Sequence, residues 1–180
     1  MKTSLSIKNY EALQLLKCFA GSVCIAICSQ ICVPFVPVPF TMQTLAVLFV
    51  ASSLGARYGI ISVLMYLAEG AIGLPVFAKC ASGLPHLLGP TGGYLIGFTF
   101  AAYLIGTLIE KFKAKSFLAI FGSGLAGEVV LFLIGYLQLA CFVGFTAAFK
   151  LGVVPFLLGD FVKVLLFALI MSGKRLALGR

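Results

Sequence analysis

Asp160 and Lys163 stand three residues apart inside an apolar run, Pro155 to Met171. On a helix that spacing puts both on one face. An acid and a base held together away from water do one of two things. They neutralise each other as a structural ion pair, or they grip a ligand offering both hydrogen-bond donors and acceptors. Counted from Pro155 at 1.5 Å per residue they lie about 8 and 12 Å into the run, a depth that suits a pocket open at that end. Glu128 is a third ionisable group in apolar surroundings, in the run that begins at Phe117. A carboxyl there can relay protons, pair with another helix, or stay protonated on a neighbouring backbone group; the structural role is favoured.

The segment Gly89-Pro90-Thr91-Gly92-Gly93-Tyr94 opens another apolar run. It lacks the spacing and the lysine of a Walker A loop, so it is no nucleotide site. A glycine-rich helix start can offer backbone N–H groups to an anion, or be a plain helix start capped by Thr91. His86 is the sole histidine, and no Ser–His–Asp or metal constellation assembles around it. Nothing in these residues points to an enzyme or to a cofactor.

The elements that position these groups must live in lipid. Of 180 residues, 62% are hydrophobic and 10% charged, where a soluble domain carries about 25% charged residues. At roughly 20 residues per span the length allows about six spans. The expectation is an all-α integral membrane protein, residues 1–180 forming a single transmembrane domain. Span 1 runs from Leu13 to Cys32 and reads as a retained helix rather than a signal peptide. Three closely spaced prolines, Pro34, Pro37 and Pro39, stop it. Two short runs follow, Thr41 to Leu54 with Thr41 as N-cap and Tyr58 to Ala71, interrupted at Gly55 and Arg57. They are either two spans or a re-entrant hairpin. A polar-leaning connection, Gly73 to Thr91, leads to span 4 (Gly92 to Ile109), span 5 (Phe117 to Cys141), a short link around Lys150, and span 6 (Pro155 to Met171).

Net charge is +8, but the positive residues lie between apolar runs and form no basic–aromatic face, which argues against nucleic acid as a partner. With the N-terminus inside, Lys2, Lys8, Lys17, Arg57, Lys111, Lys113, Lys115, Lys174, Arg175 and Arg180 all fall on the inner side. Only Lys79 and Lys150 fall outside, so both termini are expected in the cytoplasm. Cys24, Cys28 and Cys32 recur every four residues and read as helix packing rather than a metal site, and no disulfide framework is expected. Small residues pair at the same spacing in Ser22 and Ala26, Gly55 and Gly59, Gly93 and Gly97, and Ala140 and Gly144, which lets helices approach closely.

Four segments, taken together, bring a family into view. They are Pro39-Phe40-Thr41-Met42-Gln43-Thr44-Leu45, Tyr66 through Gly70-Ala71-Ile72-Gly73-Leu74-Pro75-Val76-Phe77-Ala78, Gly89 through Leu95, and Pro155 through Gly159-Asp160-Phe161-Val162-Lys163. In order and spacing they closely resemble the signature segments of BioY, the biotin-specific substrate-binding (S) component of energy-coupling factor transporters. The resemblance implies a six-helix S-component bundle in the cell membrane with an outward-facing biotin pocket. Uptake would be powered by a transmembrane T component and two cytoplasmic ATPases. It also implies a small-residue pair on helix 1 that docks the T component, here Ser22 and Ala26, with Ser where Ala is usual. The alternatives are a stand-alone carrier or an S component for another vitamin.

Biotin's ureido ring offers two N–H donors and one carbonyl. Asp160 can accept the first and Lys163 donate to the second. Gln43, Phe77, Tyr66, Tyr94 and Thr91 are the expected remaining pocket residues, with Phe40 a further aromatic candidate. Lys79 stands where family members often carry Asn, and it or the opening of span 4 is expected to receive the carboxylate of the biotin tail. On that expectation Lys79→Ala weakens binding of biotin and leaves an amide of the same molecule unaffected. Equal losses for both ligands in a calorimetric titration reject that role for Lys79.

Overall fold

The structure is a computed structural model that describes residues 2–113 and 116–177, with side chains from 10 to 113 and from 116 to 174. Lys115 and Arg180, counted above among the inner charges, lie outside the described residues, as do the side chains of Lys2, Lys8 and Arg175. Helices α1 (Lys2–Gln30), α2 (Gln43–Ala71), α3 (Leu84–Leu88), α4 (Gly92–Lys111), α5 (Phe117–Val143), α6 (Phe145–Gly152) and α7 (Val154–Ala177) make up nearly all of it. Two two-residue strands, β1 (Cys32–Val33) and β2 (Phe40–Thr41), pair antiparallel around the proline-rich stretch, with Cys32 opposite Thr41 and Val33 opposite Phe40. Span 1 therefore ends at Gln30 and not Cys32, and Cys32 leaves the face shared by Cys24 and Cys28. All six cysteines carry free thiols. The link around Lys150 is helical, as α6. Thr41 is not the N-cap of α2: that position is Met42, and Thr41 Oγ1 instead accepts the N–H of Gln43 at 3.2 Å.

By length and composition, five helical stretches among the described residues can cross a membrane. One of them, α2, is folded in two. Gly55 has φ 79° and ψ −178°, a conformation outside the helix. Gln43 Nε2 donates to the Tyr66 hydroxyl at 2.5 Å, although the two are 23 residues apart and would lie about 35 Å apart along an unbroken helix. Likewise a Cβ on Gly59 would come 3.0 Å from the Ala51 Cα. The two halves are thus antiparallel arms, about 18 and 24 Å long at 1.5 Å per residue, and the bundle makes six passes. At the tip, the Ala56 N–H donates to Glu110 Oε1 at 3.1 Å, and Glu110 sits one residue from the end of α4. The tip of the hairpin therefore reaches the same end of the bundle as the last turn of α4, too deep for a shallow re-entrant loop, and its arms count as two passes. Arg57 joins Lys111 and Lys113 at one end of the bundle. Cys18 Sγ donates to the Tyr58 carbonyl, which brings neighbouring Lys17 to that end too.

Packing is closest around α4, which lies between α2 and α5; α1 covers α2, and α7 packs on both α5 and α2. Gly93 and Gly97 sit against Ile134, Gly135 and Leu131 of α5, so this small pair serves internal packing. The distribution of side chains is that of a protein in lipid. Leu118, Val129 and Leu158 point outward, while Ser22, Ser62, Gln43, Glu128, Asp160 and Lys163 are buried. Both carboxyl oxygens of Glu128 lack a hydrogen-bond partner among the described residues, so the backbone bond that is one of three alternatives read from sequence is not seen there. An unpartnered buried polar group costs about 1–3 kcal/mol.

Two outcomes are expected from thermal unfolding in detergent. Gly55→Ala loses about 1–3 kcal/mol, the range for a residue forced into sparsely populated backbone space, because a Cβ there would collide with Glu110 Oε1 at a positive φ. The loss persists in a Glu110→Ala background, where the contact is gone and the backbone cost remains. Glu128→Met raises the unfolding midpoint, since it fills similar volume with no polar atom to satisfy. A lowered midpoint would show that the carboxyl has a partner in the membrane-embedded protein.

Candidate functional site

Lys163 is 4% exposed and Asp160 5%, a degree of burial that an unpaired charge does not tolerate. The expected i,i+3 geometry brings them together: Lys163 Nζ donates to Asp160 Oδ1 at 2.6 Å. A second donation goes to the backbone carbonyl of Thr41, also at 2.6 Å, and the ammonium stands 3.9 Å from the centre of the Phe40 ring, within cation–π range. Phe40 reaches this position because residue 159 has no side chain. A Cβ on Gly159 would collide with the Phe40 Cζ. The strand β2 is thereby fixed on α7, and the acid–base couple is both a structural ion pair and part of a cavity wall.

From Thr41 the polar chain continues. Its hydroxyl donates to Gln43 Oε1 at 2.9 Å, and Gln43 in turn donates to Tyr66. Tyr66 is fully buried behind Gln43 and does not line the cavity; its hydroxyl orients the amide. Tyr66, Gln43, Thr41, Lys163 and Asp160 form one continuous network across both arms of α2, β2 and α7.

The network opens on a cavity of about 580 Å³, counted with its open mouth. Of the residues expected from sequence, Asp160, Lys163, Gln43, Phe77, Thr91 and Tyr94 line it. Phe77 is fully buried, edge-on to Tyr66 and stacked on His86. Tyr94 gives its hydroxyl to the Gly152 carbonyl at 2.7 Å, so its ring, not its O–H, faces the cavity. Lys79 is exposed, has φ 60°, and is not among the lining residues. That left-handed backbone is one that Asn enters far more readily than Lys.

Sequence reasoning passed over Thr44, Phe98, Phe132, Phe156 and His86 as wall residues. The aromatic ones carry no signal that separates a cavity wall from ordinary core. His86, the sole histidine, could have been singled out had α3 been foreseen. Ser22 is fully buried and donates to Glu69 Oε2 at 2.7 Å; Ala26 is half-buried beside it. The exposed small residues of α1 at the same spacing are Ala20 and Cys24.

Comparison with known proteins bears on this arrangement. The sequence model of the BioY family matches residues 1–180. The "Biotin transporter BioY" of Thermotoga maritima is 40% identical over 158 residues, covering 87% of this chain and 92% of that protein. The "Probable biotin transporter BioY" of Pyrococcus horikoshii is 43% identical over 135 residues, covering 75% of this chain and 79% of its own length. A crystal structure described as the S-component for biotin from an ECF-type ABC transporter superposes with a TM-score of 0.80 at 29% identity, over 93% of each chain. A match along the full sequence, relatives at this identity and a shared fold agree on one conclusion: the chain belongs to the BioY family.

Proposed function

We propose that this protein binds biotin from the outer face of the cell membrane and delivers it inward as the substrate-specific component of an energy-coupling factor transporter. The observation that carries the reading is the buried Asp160–Lys163 couple opening on the cavity. Its hydrogen bonds occupy Oδ1 of Asp160 and two of the three ammonium protons. Oδ2 and the third proton stay available, and biotin's cyclic urea needs an acceptor for N–H and a donor for its carbonyl. In a cavity walled by Phe77, Phe98 and Phe156 these charge-assisted bonds are worth more than in water, and the thiophane ring finds apolar cover. Among the described residues Lys17, Arg57, Lys111, Lys113 and Lys174 gather at one end, with Lys79 and Lys150 at the other. The positive-inside rule then directs the cavity mouth outward and both termini to the cytoplasm.

Energy comes from partners, a transmembrane T component and two cytoplasmic ATPases. Docking of the T component is assigned to the bilayer-facing side of α1. There Ala20 and Cys24 present the small-residue spacing that Ser22, turned to Glu69, does not present.

Calorimetry of the purified protein with biotin tests the site. The parent binds, and Asp160→Asn and Lys163→Met each lose binding. Because either single change strands a buried partner at a cost of about 3–5 kcal/mol, the Asp160→Asn/Lys163→Met double variant, which strands no charge, is measured alongside. A folded double variant that binds biotin as the parent does would overturn the site.

A further inference from the structure

Two side chains able to carry positive charge line the cavity, Lys163 and His86. Lys163 is held by Asp160 and Thr41 under the Phe40 ring, and on the reading above its one remaining proton goes to the ureido carbonyl. No hydrogen-bond partner for the His86 ring occurs among the described residues. Its plane is set by stacking on Phe77, with centroids 5.8 Å apart at 19°. The short helix α3 that carries it is firmly tethered. Gly83 N–H donates to the Gly70 carbonyl at 2.7 Å, and Gln138 Nε2 donates to the carbonyls of Leu87 at 3.1 Å and Gly89 at 2.7 Å. His86 is thus an uncommitted, pre-oriented donor, and fixed donors bind with little ordering cost.

Its place suits an anion at the far end of a ligand held by the acid–base couple. Helix α3 belongs to the connection before α4, at the end of the bundle away from the α2 tip. Asp160 and Lys163 lie about 9 and 13 Å along α7 from its start at Val154. A molecule with its polar ring at the couple therefore points its other end toward α3. The two receptors expected from sequence are less well placed. Lys79 does not reach the lining. At the opening of α4, the N–H groups of Gly92 and Tyr94 already donate to the carbonyls of Gly89 and Thr91 at 3.1 Å each.

We propose that His86 receives the carboxylate of the ligand's acid tail, so that this chain selects free biotin over neutral derivatives. This rests on the biotin reading above. The test is calorimetric titration of biotin and of biotin carboxamide against the parent, His86→Phe and Lys79→Met. His86→Phe keeps an aromatic ring on Phe77 and removes both nitrogens.

The parent prefers the acid. His86→Phe loses about tenfold or more in biotin affinity, the scale of one hydrogen bond to a charged group, with the carboxamide unchanged. Lys79→Met keeps the parent's preference. The inference is overturned if the parent shows no preference, if His86→Phe retains it, if both ligands weaken equally, or if Lys79→Met abolishes it. A parent that binds neither ligand sinks the biotin reading, and this inference with it. A parent that binds biotin while His86→Phe keeps its preference sinks this inference alone.

Discussion

An ammonium group buried in an apolar bundle must find acceptors in place of water, and Lys163 finds them in two distant parts of the chain. Asp160 comes from the preceding turn of α7, but the Thr41 carbonyl is 122 residues away in sequence. Breaking such an arrangement by removing one partner leaves a charge stranded in low dielectric, so the arrangement holds only when all parts are present. The proline-rich loop is thereby fastened to the last helix. The Phe40 ring lies over the bare Gly159 backbone and stacks on Phe156, with centroids 5.8 Å apart. The geometry of β2 then sets the start of α2, because Thr41 takes the Gln43 N–H and donates to the Gln43 side chain.

The same network explains why α2 is folded as it is. Gln43 satisfies its amide against Tyr66, a residue that an unbroken helix would hold a membrane's thickness away. Gly55 supplies the non-helical turn, and Glu110 supplies an acceptor for the Ala56 N–H that the broken helix leaves free. Two arms instead of one long helix put Thr41, Gln43 and Thr44 at the cavity. The residues just past Ala71 are carried back to the same end, where Phe77 and Ala78 complete the wall.

What could be read in advance from the sequence follows the range of the interactions involved. Asp160 and Lys163 were legible as a pair because three residues on a helix fix their relation without reference to anything else. The spans were legible because lipid demands long apolar runs, and the break at Gly55 because glycine and arginine interrupt such a run. The facing of individual side chains was not. Ser22 and Ala26 have docking spacing, but whether Ser22 meets lipid or Glu69 depends on how α1 is rotated against α2. Tyr66 and His86 exchange their expected parts for the same reason. One is turned behind Gln43 and the other into the cavity by α3, a five-residue helix too short to leave a periodic trace. The two-residue strands of the proline loop likewise have no alternation to detect, and only their register shows why Thr41 is not a cap.

One more linkage joins the outside of the bundle to the cavity wall. Gln30, at the end of α1, donates to the Phe77 carbonyl at 3.0 Å and accepts the Cys80 N–H at 2.9 Å. Neighbouring Ser29 donates to the Val76 carbonyl at 2.6 Å. Both termini of the short loop that presents Phe77 and Ala78 are thus held by side chains of one helix, and Phe77 in turn carries the His86 stack. Helix α1 also has one face open to the bilayer, with Leu16, Phe19, Val23 and Ile27 exposed along it. A displacement of α1 along α2 cannot leave these bonds intact, so it must either break them or carry the loop with it. The open face of α1 and the support of one cavity wall therefore belong to the same helix. About one helical turn of polar side chains thus ties α1 to the loop that forms one wall of the cavity.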